Sequence, residues 1–270
     1  MGLLYFFNRF VKPKLLKGTQ DLNPAPTGSY DFGVRAIRQG DVNLWFFTKG
    51  NSTLAIDAGH LNEANTYRDF ASIGVDPDSI HHVLLTHADV DHAGGIDAKA
   101  KNYLYPKAQV YLGKGEEAYL KRESHRMVKL GLKIYNCVSL RPGYRLLEDE
   151  EVLHLDGIRV RCLSVPGHTL VHMCYLVEDR ILFSGDCLAV NEEGGFAFWD
   201  FFCQDGEQNK ESLQHLKNLL RDYPLDAVCT GHSGFVTDTE NLFKHIRVSA
   251  SFKGAEPFDK RAPKDVCRRD

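Results

Sequence analysis

Thr86-His87-Ala88-Asp89-Val90-Asp91-His92-Ala93-Gly94-Gly95 is the most telling stretch of this chain. Four potential metal ligands fall within six residues, directly after the apolar run Val83-Leu84-Leu85. Helical spacing would spread such a set around a cylinder, whereas a loop leaving a strand can converge all four on one point. Gly94 and Gly95 let that loop turn tightly. Imidazole and carboxylate are ligands for zinc, iron or manganese, and carboxylates this close together need a cation to offset their repulsion.

Working outward, three later segments share one grammar. Leu163-Ser-Val-Pro-Gly-His168, Ile181-Leu-Phe-Ser-Gly-Asp186 and Ala227-Val-Cys-Thr-Gly-His232 each end an apolar strand with Gly and then a ligand-type residue. A Gly at that point suits close approach of backbone to a shared centre. Upstream, the apolar Leu54-Ala-Ile leads directly into Asp57.

The remaining pattern predicts strands mixed with helices in both halves. Val42–Thr48 and Ser52–Asp57 read as a hairpin, as do strands flanking Asp156-Gly157 and Glu178-Asp179. Helices are expected over Asn62–Ile73, Ile96–Tyr103, Gly115–Leu132, Ser212–Asp222 and Glu240–Phe252. The organisation expected is a lead-in over 1–40 packed on the core, one domain over 41–252 and a polar tail over 253–270.

Lys and Arg number 33 against 36 Asp and Glu, a net charge of −3 that gives a nucleic-acid partner little electrostatic support. No apolar run approaches the ~20 residues of a membrane span. Seven widely spaced cysteines without a CxxC pair suit reduced thiols in a cytoplasmic setting. The apolar segment Leu3 to Phe10 lacks the marks of a signal peptide; it is expected to pack on its own chain or to form a homodimer contact.

Taken together, these motifs resemble the metallo-β-lactamase-fold superfamily, from about Asp41 to about Val236. The resemblance implies an α/β fold, a four-layer αββα sandwich of two mixed sheets flanked by helices. It also implies two divalent metal ions, zinc by family. One would take His87, Asp89 and His168; the other would take Asp91, His92 and His232, with Asp186 between them. Position 89 departs from the family pattern, which has His there. Two carboxylates with two imidazoles shift the preference toward iron or manganese, and the acidic residue is similar to that of flavodiiron proteins, which carry Glu.

The activity implied is hydrolysis of a small-molecule ester, thioester, lactone or phosphodiester by a hydroxide generated at the metals, with Asp91 as catalytic proton carrier. The alternative is a non-haem di-iron oxidoreductase or an O2- or NO-binding protein. Asp57, Thr86 and His172 are expected behind the ligands. For Thr86, a strand-end hydroxyl that simply satisfies backbone is an equal alternative. Phe196, Phe198 and Trp199 are expected either to wall the cleft for substrate or to fill core. The run Gly115–Leu132, with Lys114, Lys121, Arg122, Arg126 and Lys129, would suit an anionic substrate if it formed a lid; a solvated charged face is the ordinary alternative.

Overall fold

The computed structural model describes residues 22–129 and 131–250. The segment Leu3 to Phe10, the tail from Lys253 and the side chain of Lys129 lie outside the described residues. A seven-stranded sheet is built from β1 (Gly28–Ser29), β2 (Val34–Gln39), β3 (Val42–Lys49), β4 (Ser52–Ile56), β5 (His82–Leu84), β6 (Gln109–Gly113) and β9 (Arg145–Leu147). Its pairings are antiparallel from β1 to β4 and parallel from β4 to β9. A small hairpin, β7 (Met127–Lys129) with β8 (Leu132–Ile134), stands between β6 and β9 in the chain.

The second large sheet runs β10 (Val152–Leu155), β11 (Ile158–Ser164), β12 (Met173–Val177), β13 (Ile181–Gly185), β16 (Ala227–Thr230), β17 (Phe235–Val236), with only β13–β16 parallel. A third sheet joins β14 (Leu188–Asn191), β15 (Gly194–Ala197) and β18 (His245–Ser249). The helices are α1 (Thr66–Ser72), α2 (Glu117–Leu120) and α3 (Gly206–Leu219).

Side chains alternate across each strand, and the alternation sorts the core into layers. Trp45, Phe47, Leu54, Ile56 and Leu84 of the first sheet meet Val160, Cys162, Tyr175 and Phe183 of the second. Their neighbours Leu44, Phe46, Ala55, Val83 and Leu85 point the other way and pack with Phe70 of α1. On the second sheet Cys174, Leu176, Leu182 and Val228 turn outward against Leu213 and Leu216 of α3. The result is helix, sheet, sheet, helix, the α/β sandwich expected. Both faces of the central strands are covered, which is why they read as unbroken apolar runs. The Trp45 indole N–H donates to the Thr230 carbonyl at 2.9 Å and ties one sheet to the other.

Among the described residues, two expected helices are absent and a third is cut to a single turn. After a 3-10 turn at Gly94–Ile96, the Asp97 carboxylate accepts from Lys99 N and Ser139 N, and this local side-chain bonding favours a turn over a helix. In the charged run 115–132, α2 stops after one turn, Arg122 adopts φ +59°, and the hairpin β7–β8 follows, so no helical lid forms. Over 240–250 the chain instead makes β18, whose Ile246 and Val248 suit an extended edge beside β15. Among the expected helices that do form, α1 is shorter than Asn62–Ile73. Helix α3 starts earlier than Ser212 because Asp205 caps it, accepting from Gln208 N at 3.0 Å. No helix among the described residues is long and apolar enough to cross a membrane.

Candidate metal centre

The ends of β4, β5, β13 and β16 meet at one edge of the sandwich. Backbone bonds lace the departing loops together: Ala58 N to His92 O at 2.6 Å, Gly231 N to Gly185 O at 2.9 Å, Asn43 N to Gly231 O at 2.9 Å, and Met173 N to Thr86 O at 2.8 Å. This lacing brings His87, Asp89, Asp91, His92, His168, Asp186 and His232 into one cluster. The glycine before a ligand matters most at Gly231, where a Cβ would lie 2.0 Å from Asp186 Oδ1. At Gly185, φ is +52° and a Cβ would strike the His172 ring.

Partners behind the rings set their tautomers. Asp57 accepts from His92 Nδ1 at 2.8 Å, from Thr86 N at 2.8 Å and from the Thr86 hydroxyl at 2.9 Å. That hydroxyl has one proton, already given to Asp57, so it accepts from His87 Nδ1 at 2.9 Å. His232 Nδ1 donates to the Asp41 carbonyl. In each of the three rings Nδ1 therefore carries a proton, and Nε2 turns toward the cluster.

The donors fit a cation. His87 Nε2, His92 Nε2 and Asp186 Oδ1 are buried without a hydrogen-bond partner, a costly arrangement unless an ion satisfies them. Donor separations are 3.2 Å for His92 Nε2 to Asp186 Oδ1, 3.0 Å for His232 Nε2 to Asp186 Oδ2, and 3.6 Å for His232 Nε2 to Asp91 Oδ2. A tetrahedral ion with ~2.1 Å bonds needs edges of about 3.4 Å. The electrostatics agree. Burial discourages charge on His92, yet Asp186 and Asp57 outweigh it and hold its pKa well above the usual value. Burial would likewise raise Asp186, but His232 and His92 keep it well below the carboxylate range. The pocket favours net positive charge at its centre.

Asp89 sits differently. Its Oδ1 accepts from Arg126 Nε at 2.7 Å and its Oδ2 from Arg126 Nη2 at 2.9 Å. The two protons of that Nη2 serve three acceptors, one proton being shared between the Phe202 carbonyl and His168 Nε2, each at 3.0 Å. Because guanidinium has no lone pair, His168 Nε2 is the acceptor there. Arg126 is buried, with 1% exposure. Burial alone would raise the Asp89 pKa, and Arg126 reverses this and holds it well below normal. Burial and then Arg126 push His168 down to about 3.

Other expected residues divide. His172 is not aimed at the cluster through Nε2, which accepts from Asp186 N at 3.0 Å and so positions that loop. Phe198 stands at the site, its ring 5.0 Å from that of His168 and 5.7 Å from that of His232. Phe196 instead stacks on His245, and Trp199 on Phe202. His60 is buried, its Nε2 3.3 Å from the carboxylate of Asp41, whose backbone carbonyl holds His232.

Residues without a sequence signal complete the frame. Buried Glu116 accepts from Ala88 N at 2.9 Å and Val171 N at 3.2 Å, joining the His87 loop to the His168 loop. Asn136 donates to the Ala88 carbonyl at 2.5 Å. Arg126 and Asn136 flank the β7–β8 hairpin, so both of its ends are pinned to the ligand loop. Within a run of Lys121, Arg122 and Arg126, nothing marks the one that is buried.

The metallo-beta-lactamase superfamily model matches residues 37–232. A probable polyketide-biosynthesis zinc-dependent hydrolase of Bacillus subtilis is 30% identical over 155 residues, 56% of this chain and 56% of its own length. An atrochrysone carboxyl ACP thioesterase of Aspergillus terreus is 29% identical over 151 residues, 53% of this chain and 38% of its own. The chain thus spans about half the length, or less, of these curated relatives. Among solved structures, a metallo-beta-lactamase family protein of Thermus thermophilus superposes with TM-score 0.56 at 19% identity, covering 78% of this chain and 77% of that one. With the superfamily's model spanning most of the chain and the sandwich architecture in place, this protein belongs to the metallo-β-lactamase superfamily.

Proposed function

We propose that this protein is a metal-dependent hydrolase of small esters, with a thioester the first substrate to try. The observation that carries the reading is the convergence of His87, His92 and His232 with Asp91 and Asp186, the Nε2 atoms of His87 and His92 being buried without a hydrogen-bond partner and each ring held from behind through Nδ1. Relatives named as a zinc-dependent hydrolase and an acyl-carrier thioesterase support it. His92, His232, Asp91 and Asp186 would hold the cation. When bound, that ion would acidify a water and polarise the scissile carbonyl. Zinc is the ion the relatives' names favour, and the carboxylates also suit manganese or iron.

Asp91, buried beside His232, takes the proton from the attacking water and passes it to the leaving group. Asp57 holds His92 in its donor tautomer throughout, and the Phe198 ring shields the imidazole side of the cleft from water. The di-iron alternative drew on Asp89 as a ligand, and both oxygens of Asp89 are taken up by Arg126. A reducing, cytoplasmic setting stays part of the proposal, on the thiol pattern of the sequence.

Release of thiol from an acyl N-acetylcysteamine thioester tests the reading. Turnover is expected to vanish on chelation, return with zinc or manganese, and be lost in Asp91→Asn. Turnover indifferent to chelation refutes it.

A further inference from the structure

We infer that Arg126 takes the place of the first metal, so that this chain holds a single ion where the family pattern implies two. The inference rests on the proposal that the cluster binds metal at all, and it concerns how many ions and through which residues.

The first donor set is His87, Asp89 and His168. Two of these three are already engaged by one guanidinium. The Asp89 carboxylate is bound on both oxygens in the two-pronged geometry that suits an arginine fork. The His168 Nε2 lone pair faces Arg126 Nη2 at 3.0 Å. A lone pair that accepts an N–H cannot also ligate an ion.

Space gives the same answer. Asp89 Oδ2 and His168 Nε2 are 3.7 Å apart, with Nη2 at 2.9 and 3.0 Å from them. An ion about 2.1 Å from both would sit about 1 Å off the line joining them, and Nη2 sits about 2.3 Å off it, so the two are at most about 3.3 Å apart. Arg126 is also held there independently of the donors, by the Phe202 carbonyl and by its own backbone N–H bonded to Ile134 O at 2.7 Å.

The second set, Asp91, His92 and His232 with Asp186, shows no such conflict. His92 Nε2 and Asp186 Oδ1 are without a hydrogen-bond partner, and His232 Nε2 faces the carboxylates of Asp91 and Asp186. The retained ion belongs there, with Arg126 supplying fixed positive charge at the first position.

The test is stoichiometry, read without any assay of turnover. Protein equilibrated with Zn2+ is analysed for metal per chain, and Co2+ is titrated against visible absorption. Wild type is expected to saturate at one equivalent. Arg126→Met, which frees Asp89 and His168, is expected to rise to two, and Asp89→Asn to stay at one. Two equivalents in wild type overturn the inference even if either variant fails to fold, as does loss of the ion in folded Asp89→Asn or a single equivalent in folded Arg126→Met. No metal in any of the proteins would instead overturn the hydrolase reading.

Discussion

Asp57→Asn isolates the group behind His92 without disturbing the backbone. Asp57 has φ +63°, a conformation Asn tolerates as well as Asp does, so strain is not introduced. What changes is one acceptor oxygen into an NH2 group. Asp57 Oδ1 faces Thr86 N at 2.8 Å and Oδ2 faces His92 Nδ1 at 2.8 Å. With the amide oxygen on Thr86 N, the new NH2 confronts the N–H of His92. The ring then escapes by moving its proton to Nε2, the atom that must face a metal. Losing a partner that orients a ligand imidazole costs about 10–100-fold in metal affinity, or about 1.4–2.8 kcal/mol.

With the amide turned the other way, His92 keeps its tautomer but Thr86 N loses its acceptor in a buried site, about 1–3 kcal/mol of folding stability. The carboxylate therefore cannot be replaced without one loss or the other. Competition against a chromophoric chelator reads the first, and urea denaturation of metal-free protein reads the second. Unchanged affinity together with an unchanged urea midpoint would refute the role given to Asp57.

Glu116→Ala strands the N–H groups of Ala88 and Val171 and should cost about 2–5 kcal/mol in urea denaturation, with Glu116→Gln milder because one acceptor survives. Gly231→Ala places a Cβ 2.0 Å from Asp186 Oδ1 and 2.9 Å from His92 Cε1, so metal binding should fall while the circular dichroism of the fold persists; full metal affinity would show that the loop can move aside. His168 has its pKa lowered from 6.5 to about 3 by burial and then by Arg126, so the unfolded chain binds more protons between those values. Metal-free stability should accordingly be intact above pH 6.5 and fall as pH drops toward 3, by up to roughly 4–5 kcal/mol. His168→Gln should flatten that slope in urea midpoints taken across the range, and an equally steep slope would assign it to other groups.

The clustering of these His and Asp side chains could be read from the chain because its chemistry is local in sequence. Each donor follows an apolar strand within a short loop, and a strand buried on both faces announces itself as an unbroken apolar run. The glycines before Asp186 and His232 are equally legible, since backbone approach leaves no room for a Cβ. The failures share a cause too. Ile96–Tyr103 and Gly115–Leu132 have helical composition, but Asp97, the φ of Arg122 and the pairing of β7 with β8 redirect them through partners distant in the chain. Propensity is a weak prior against such contacts. Arg126 is the sharpest case. Beside Lys121 and Arg122 it has the look of a solvated face, and only the hairpin, anchored again through Asn136 on Ala88, carries its side chain into the cluster. The Asp at position 89, which in the sequence points to a harder metal, has a simpler cause once that arginine is in place. A histidine there would leave the buried guanidinium without a carboxylate, so Asp89 and Arg126 form one unit.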